Sequence, residues 1–584
     1  MYKASSIRVV RYIILFLFLV LFASLFRLQV IEGKKYESIA ENNIVRIKKL
    51  LPVRGEIFDQ KFRSIALNKP SINLYCTPGK VADKLKLIEF ISQNFSIKSE
   101  EIEKILYENR FRLYQEILLV QNVDHSNLVR VMEFFNYYPS LSYKTESIRD
   151  YSYPNHFSGH LGRINEKEYK VRKEQGYTIN SFLGKTGLEK QYESLLRGKN
   201  GHRIIQVDAS GNDLQLFKHN LDKPAQNGAD LILTIDNQLQ AYSNSIFPED
   251  MKGAIVVMNA ETGGILTYLS KPEFDQNIFS SNISTTVWNE LMNDQDKPML
   301  DRIIHGAYPP GSVYKPIMAT LGLETNTIQK DTKLVACDGG LMVGDRYFKC
   351  WWEEGHGRLD VIDAMKVSCD VFFYDLSLKF SLDDINQFSK KNMITRKTGV
   401  DLPSERSGFF PTHKWYIDNY GKYVPIIGHK VNLAIGQGEV LTTTLQICAY
   451  YAALSNNGKW MRPHLLKKYI LGNKTSNFKT EGVQIPVSEE NLELLRLSLW
   501  KAVNERYGTG TAANVGGVDV YGKTGSAENH MGEETHSWFA GFVETDEYKI
   551  SFIVFVENGG HGGSVAAPIA GKIIQFYDAL RKQK

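Results

Sequence analysis

Pro309-Pro310-Gly311-Ser312-Val313-Tyr314-Lys315-Pro316 decides how this 584-residue chain is read. Pro-Pro-Gly makes a sharp turn. Ser312 then opens a helix that runs through Ile317, Met318, Ala319 and Leu321. Pro316 is tolerated because the first N–H groups of a helix have no intrahelical acceptor. Ser312 and Lys315 are three residues apart and share one face. A serine hydroxyl is a weak nucleophile until a neighbouring base takes its proton. A lysine in a desolvated pocket can be that base, and a helix N-terminus favours developing negative charge. Alone, Ser-x-x-Lys is common, most often as a helix cap followed by a surface lysine. It acquires meaning only from partners of the right type and order.

Those partners follow. Ser368-Cys369-Asp370 precedes an apolar aromatic helix, Val371-Phe372-Phe373-Tyr374. Lys523-Thr524-Gly525-Ser526-Ala527 lies between a strand-like Val518–Tyr521 and another strand, Ser537–Val543. A second Lys-Thr-Gly, Lys397-Thr398-Gly399, runs into Val400-Asp401-Leu402-Pro403 and reads as a solvated turn after a helix. The reactive copy must lie on a strand whose backbone can pair with a peptide, which selects Lys523.

The set Ser-x-x-Lys, Ser-x-Asp/Asn, Lys-Thr-Gly is the signature of penicillin-binding proteins and class A β-lactamases. Further blocks extend the likeness over nearly the whole chain: Pro52–Asp59, Gly187–Glu193, Asp230–Asp236, Ala307–Ser312, Leu433–Gly438 and Gly559–Gly563. The chain resembles the penicillin-binding protein 2 family, the elongation-type class B peptidoglycan D,D-transpeptidases. The resemblance implies an α+β chain with a single transmembrane helix, an elongated α+β pedestal and a C-terminal transpeptidase fold. That last fold is an antiparallel sheet flanked by helices, with a helical subdomain. The expected boundaries are 1–33, 34–235 and 236–584.

The resemblance also implies roles. Ser312 attacks the carbonyl between two D-alanines of a stem peptide, Lys315 takes its proton, and Ser368 relays a proton to the leaving D-alanine. Lys523 supplies positive potential. The N–H groups of Ser312 and Ser526 form the oxyanion hole, and Thr524, Gly525 and Ser526 line the substrate. Asp370 stands where Asn is more usual in the wider family. It belongs in the site, but as an acceptor-only carboxylate its contact is open. The implied activity is that of a serine D-Ala-D-Ala carboxypeptidase/transpeptidase, inhibited by β-lactams. Implied partners are lipid II-derived stem peptides, β-lactams and a SEDS-family (RodA-type) glycosyltransferase within the elongation complex.

Cys337, Cys350, His356 and Cys369 fall in one short window. Cys3His is a common structural zinc set, and some members of the resembled family carry such a zinc beside Ser-x-Asp. A Cys337–Cys350 disulfide and a small buried Cys369 are the competing readings. No cofactor is required for the chemistry itself.

The N-terminus carries the second strong pattern. Tyr12–Phe26 is almost unbroken apolar sequence, and Val9–Leu28 supplies the ~20 residues that cross a bilayer core. Arg11 and Arg27 can snorkel to headgroups. Lys3, Arg8 and Arg11 precede the span without an acid, which puts the N-terminus in the cytoplasm and the catalytic domain in the periplasm of a bacterial inner membrane. A cleaved signal peptide is the alternative, although the following residues lack a small-x-small site. Composition agrees with one span on a large soluble body: 43% hydrophobic, 23% charged and five cysteines exclude a polytopic protein, a disordered chain and a disulfide scaffold. A net charge of +5 gives no reason to expect nucleic acid.

Other expectations are local. Ser99 caps a helix with Ile102, Ile105 and Leu106 on one face; Gly253–Met258 and Ile265–Leu269 form a hairpin; Trp351-Trp352 is packing; His536 is either part of the site or a core edge position. A bifunctional enzyme would need a glycosyltransferase domain, and no Glu-Asp-x-x-Phe signature occurs before Asp230. A β-lactamase is about half this length, and a β-lactam sensor carries several spans. A non-catalytic scaffold of the wall machinery is the reading from another functional class.

Overall fold

The computed structural model describes residues 2–35, 45–95, 97–179, 181–206, 222–280, 283, 285–529 and 534–583. Two compact units emerge, Met1–Arg54 with Arg197–Gly228, and Gly55–Leu196 with Ala229–Lys584. In the first, Tyr2–Phe26 is α-helical and continues as a π-helical turn, Arg27–Ile31. The stretch Ile7–Ile31 is long and apolar enough to cross a membrane, and its side chains are exposed. Most of the basic stretch Lys34–Lys49 lies outside the described residues; Val45–Leu50 pairs antiparallel with Gly201–Gln206.

Among the described residues, the second unit holds two large sheets beside three two-stranded ones. The larger has seven strands. Lys474–Asn477, Leu466–Leu471, Asp230–Leu233, Ile57–Phe58, Ser64–Cys76 and Ile117–Val123 are neighbours in that order, and Leu141–Tyr151 pairs with Ser64–Cys76 as well. A buried ion pair ties this region together: Arg149 Nε donates to Glu189 Oε1 at 2.7 Å, and its Nη1 to Gly55 O at 2.8 Å. The helix Ser99–Glu108 buries Ile102 and Leu106 as the periodicity predicts, but its cap is Lys98. Ser99 is the first helical residue, one position too late to cap with its hydroxyl.

The five-stranded sheet is antiparallel throughout, in the order Ile265–Lys271, Gly253–Asn259, Lys549–Val556, His536–Glu544, Val520–Ala527. Period-2 alternation gives each strand two apolar faces. Ile255, Val257, Phe552 and Val554 pack with the C-terminal helix Ala566–Lys582. Ala254, Val256, Ile553 and Phe555 face the main core, which includes Thr444–Ser455, a helix whose twelve residues are all buried. Its start is fixed by a capping box between Thr443 and Gln446. Val520–Ala527, which carries Lys523-Thr524-Gly525, is left at the sheet edge.

Candidate active site

Three elements converge on one buried lysine. The first is the Ser312 turn. Gly311 has φ +58°, a conformation open to glycine at little cost, and its N–H donates to Gly436 O at 2.9 Å. Gly311–Tyr314 forms a 3-10 turn and the α-helix begins only at Lys315, so Ser312 precedes the helix it was expected to start. Ser312 is half-buried, whereas Lys315–Leu323 are all buried. Among the described residues, the Ser312 hydroxyl makes no hydrogen bond.

The second is Ser368-Cys369-Asp370. Ser368 has φ +57°, unusual for a residue with a Cβ and costing about 1–3 kcal/mol. The kink lies between the helices Val361–Lys366 and Asp370–Leu378. It turns both oxygens of Ser368 toward Lys315. Lys315 Nζ donates to Ser368 O at 2.8 Å, to Ser368 Oγ at 3.1 Å and to Asp370 Oδ1 at 2.8 Å. Asp370's contact, open from sequence, is thus a buried ion pair with Lys315. Its other oxygen accepts from the Trp351 N–H at 3.0 Å.

The third is the edge strand. Lys523 is fully buried and donates to Thr524 O at 3.1 Å. Burial, reinforced by the charge on Lys315 and opposed by Asp370, holds its ammonium well below the ordinary 10.5. Asp370 is thus the ion-pair partner of Lys315 and acts on Lys523 only electrostatically. Thr524 Oγ1 donates to Thr509 Oγ1 at 2.8 Å, and Ser526 Oγ accepts from the Gly562 N–H at 3.2 Å. Strand and nucleophile turn are in close apposition: a Cβ on Gly525 would lie 3.0 Å from Pro310 O, and one on Gly311 would lie 2.9 Å from Ser526 O.

Sequence reasoning gave no role to Gln437. Its Nε2 donates to Ser526 O and its Oε1 accepts from the Glu528 N–H, both at 3.1 Å. The only signal was its place in the Leu433–Gly438 block. Trp351 and Trp352 are 54% and 47% exposed and are not core packing; Trp351 Nε1 donates to Val367 O at 3.0 Å. His536 is a packing residue, edge-on to Tyr308 and Phe555, with Nδ1 accepting from the Asn558 N–H at 3.1 Å. The second Lys-Thr-Gly is a loop closed on Glu405, which accepts from the N–H groups of Thr398 and Gly399 at 2.7 and 2.8 Å, and Lys397 is exposed.

Cys337, Cys350, His356 and Cys369 come together with their ligand atoms all within 4.8 Å of one another. His356 Nδ1 lies 3.7 Å from Cys337 Sγ and 3.5 Å from Cys350 Sγ. Ligand atoms on a tetrahedral zinc with bonds of ~2.0–2.3 Å stand roughly 3.3–3.8 Å apart, so the residues fit such an ion. The thiols are free and no disulfide joins Cys337 to Cys350.

The penicillin binding protein transpeptidase domain model matches residues 253–575, and the penicillin-binding protein dimerisation domain model matches 49–233. The peptidoglycan D,D-transpeptidase MrdA of Haemophilus influenzae is 28% identical over 592 residues, covering 96% of this chain and 89% of its own. Penicillin-binding protein 2 of Helicobacter pylori, solved in complex with MreC, superposes with a TM-score of 0.80 at 27% identity, over 91% of this chain and 99% of its own. A chain from a peptidoglycan synthase complex, described as coordinating polymerization and crosslinking, gives 0.72 at 25% identity over 98% of both. The α+β fold of this chain is the one these structures share. The chain belongs to the penicillin-binding protein transpeptidase family and, within it, is similar along almost its whole length to penicillin-binding protein 2.

Proposed function

We propose that this protein is a peptidoglycan D,D-transpeptidase that cross-links stem peptides through an acyl-enzyme on Ser312. The observation that carries this reading is the convergence of the Ser312 turn, Ser368-Cys369-Asp370 and the Lys523 strand around the Lys315 ammonium. Ser312 Oγ attacks the carbonyl between two D-alanines as its proton passes to Lys315. Two N–H groups, of Ser312 and Ser526, hold the resulting oxyanion; such donors contribute ~3 kcal/mol each. Ser368 passes a proton to the leaving D-alanine, and an amine of a second stem displaces Ser312 from the ester. Thr524 and Ser526 hold the substrate's terminal carboxylate. That negative charge favours the ammonium form of Lys523. A proton passed from Lys315 to Lys523 leaves Lys315 a free amine, able to accept the proton of Ser312. A β-lactam enters the same cleft and acylates the same oxygen. Ser312→Ala is expected to abolish covalent labelling by a fluorescent penicillin and turnover of a thioester substrate; persistent labelling would sink the assignment, and a scaffold role predicts no labelling of the wild type.

We further infer that Cys337, Cys350, His356 and Cys369 hold a structural zinc. Four protein ligands fill a tetrahedral ion and leave no position for substrate. Cys350 precedes Trp351 and Cys369 precedes Asp370, so the ion would brace the wall that carries Asp370 without taking part in a step. Elemental analysis of protein purified without chelator should find one zinc per chain.

The apolar helix Tyr2–Phe26 supports a single-pass anchor, and its basic flank a cytoplasmic N-terminus with the catalytic unit in the periplasm. By likeness to the synthase-complex chain, the partner is a membrane-embedded SEDS-family glycosyltransferase of the elongation machinery, met through the span and the region Lys34–Lys223. Co-purification in detergent, lost when that region is exchanged, tests it.

A further inference from the structure

We propose that Thr509 is a positioning residue for the substrate's terminal carboxylate, acting through the hydroxyl of Thr524. The proposal rests on the transpeptidase reading above. A carboxylate only accepts hydrogen bonds, so each hydroxyl that holds it must turn its proton toward it. Ser526 is already set for this. Its Oγ accepts from the Gly562 N–H at 3.2 Å, and among the described residues its own proton meets no acceptor. Thr524 is not. Its Oγ1 donates to Thr509 Oγ1 at 2.8 Å, and among the described residues no backbone N–H donates to it. In that state Thr524 presents only lone pairs to a carboxylate.

Thr509 resolves the conflict. Two hydroxyls at this distance carry two protons, and either oxygen can be the donor. Thr509 Oγ1 makes no other hydrogen bond among the described residues, so its proton is available. When Thr524 turns its proton to the carboxylate, Thr509 donates to Thr524 in its place. The chain then runs one way, from Thr509 through Thr524 to the carboxylate. Each bond polarises the next, and the last is charge-assisted. Thr509 is stationed by the backbone around it. The N–H groups of Gly508 and Gly510 donate to Glu505 O and Ala502 O at 3.1 and 2.9 Å, at the end of the helix Glu489–Asn504. From the other side the glycine-rich Gly559–Gly563 loop abuts it: a Cβ on Gly563 would lie 2.9 Å from Thr509 O. The reversal therefore needs only the rotation of two O–H bonds.

The test uses the full chain in detergent micelles and two N-benzoyl-D-alanyl thioesters. One has thioglycolate as leaving group, whose carboxylate stands for that of the leaving D-alanine, and the other is its methyl ester. Thr509→Val keeps the branched shape and removes the hydroxyl. It should lower kcat/KM for acylation by the thioglycolate about five-fold, the range of one net hydrogen bond, with a clearly smaller loss for the methyl ester. Thr509→Ser should keep the wild-type rate. In a double-mutant cycle with Thr524→Val, the second change should add nothing to the first. Equal losses for both thioesters, a loss in Thr509→Ser as large as in Thr509→Val, additive losses in the cycle, or no loss at all would overturn the proposal. A wild-type chain that is acylated by neither thioester would instead overturn the transpeptidase reading, and this inference with it.

Discussion

Replacing Gly525 with alanine tests the apposition of strand and nucleophile directly. Gly525 is not among the glycines with positive φ, so alanine brings no backbone strain. The new methyl would lie 3.0 Å from Pro310 O and 3.1 Å from both Trp538 Cβ and Val313 Cγ1. Unstrained contacts stand at about 3.5–4.0 Å, so roughly half an ångström must open. The strand cannot retreat, because Trp538 is fully buried on the strand paired to it. The Ser312 turn must therefore move away from Ser526. Overpacking of this kind costs about 1–3 kcal/mol. A 1 Å misplacement of reacting groups can cost ~10²-fold in rate, so half of that implies about ten-fold here. The assay is the second-order rate of acylation by a fluorescent penicillin, with a thermal melt in parallel. Lys397→Ala, in the exposed second Lys-Thr-Gly, should change neither. Wild-type acylation in Gly525→Ala, or a comparable loss in Lys397→Ala, would refute the assignment of the strand.

Three further outcomes are expected. Asp370→Ala leaves the fully buried Lys315 without its carboxylate and should destabilise the fold by about 3–5 kcal/mol; an unchanged denaturant midpoint would contradict the buried pair. Lys523 is depressed when folded, so between that lowered value and the ordinary 10.5 the unfolded chain binds the extra proton. Stability of the wild type relative to Lys523→Met should therefore rise with pH across that window, by up to ~1.4 kcal/mol per unit, and parallel melting curves against pH would show the charge to be unperturbed. Chelation of zinc should lower the melting temperature and slow acylation of Ser312, both restored by added zinc; a chelated protein with an unaltered melt would remove the metal from the structural argument.

Legibility in the sequence followed the range of the interactions. The turn at Ser312, the helix carrying Lys315 and the strand carrying Lys523-Thr524-Gly525 could be read because each is a local pattern of turn chemistry or period-2 alternation. The choice between two Lys-Thr-Gly copies could be made because strand and loop leave different neighbours in sequence. Gln437, the Trp351 N–H and the contact of Asp370 could not be read, because each is defined by a partner distant in the chain. Nor could the left-handed backbone of Ser368, since serine carries no signal for positive φ. The exposure of Trp351 and Trp352 ran against composition, which puts paired tryptophans in cores. The cysteine cluster was readable as a spacing, but only the fold shows four ligand atoms converging.

An open sheet edge is a liability in most proteins, since any extended segment can add to it and seed aggregation. Here Val520–Ala527 is kept open, but the opening is short. The Ser312 turn crowds it at Gly525, and the Gln437 amide occupies the backbone groups of Ser526 and Glu528. A peptide ending in a carboxylate can enter that interval, whereas a long strand from a neighbouring or misfolded chain meets obstruction on both sides. The same narrowness that admits only a short peptide thus protects the protein from its own sheet.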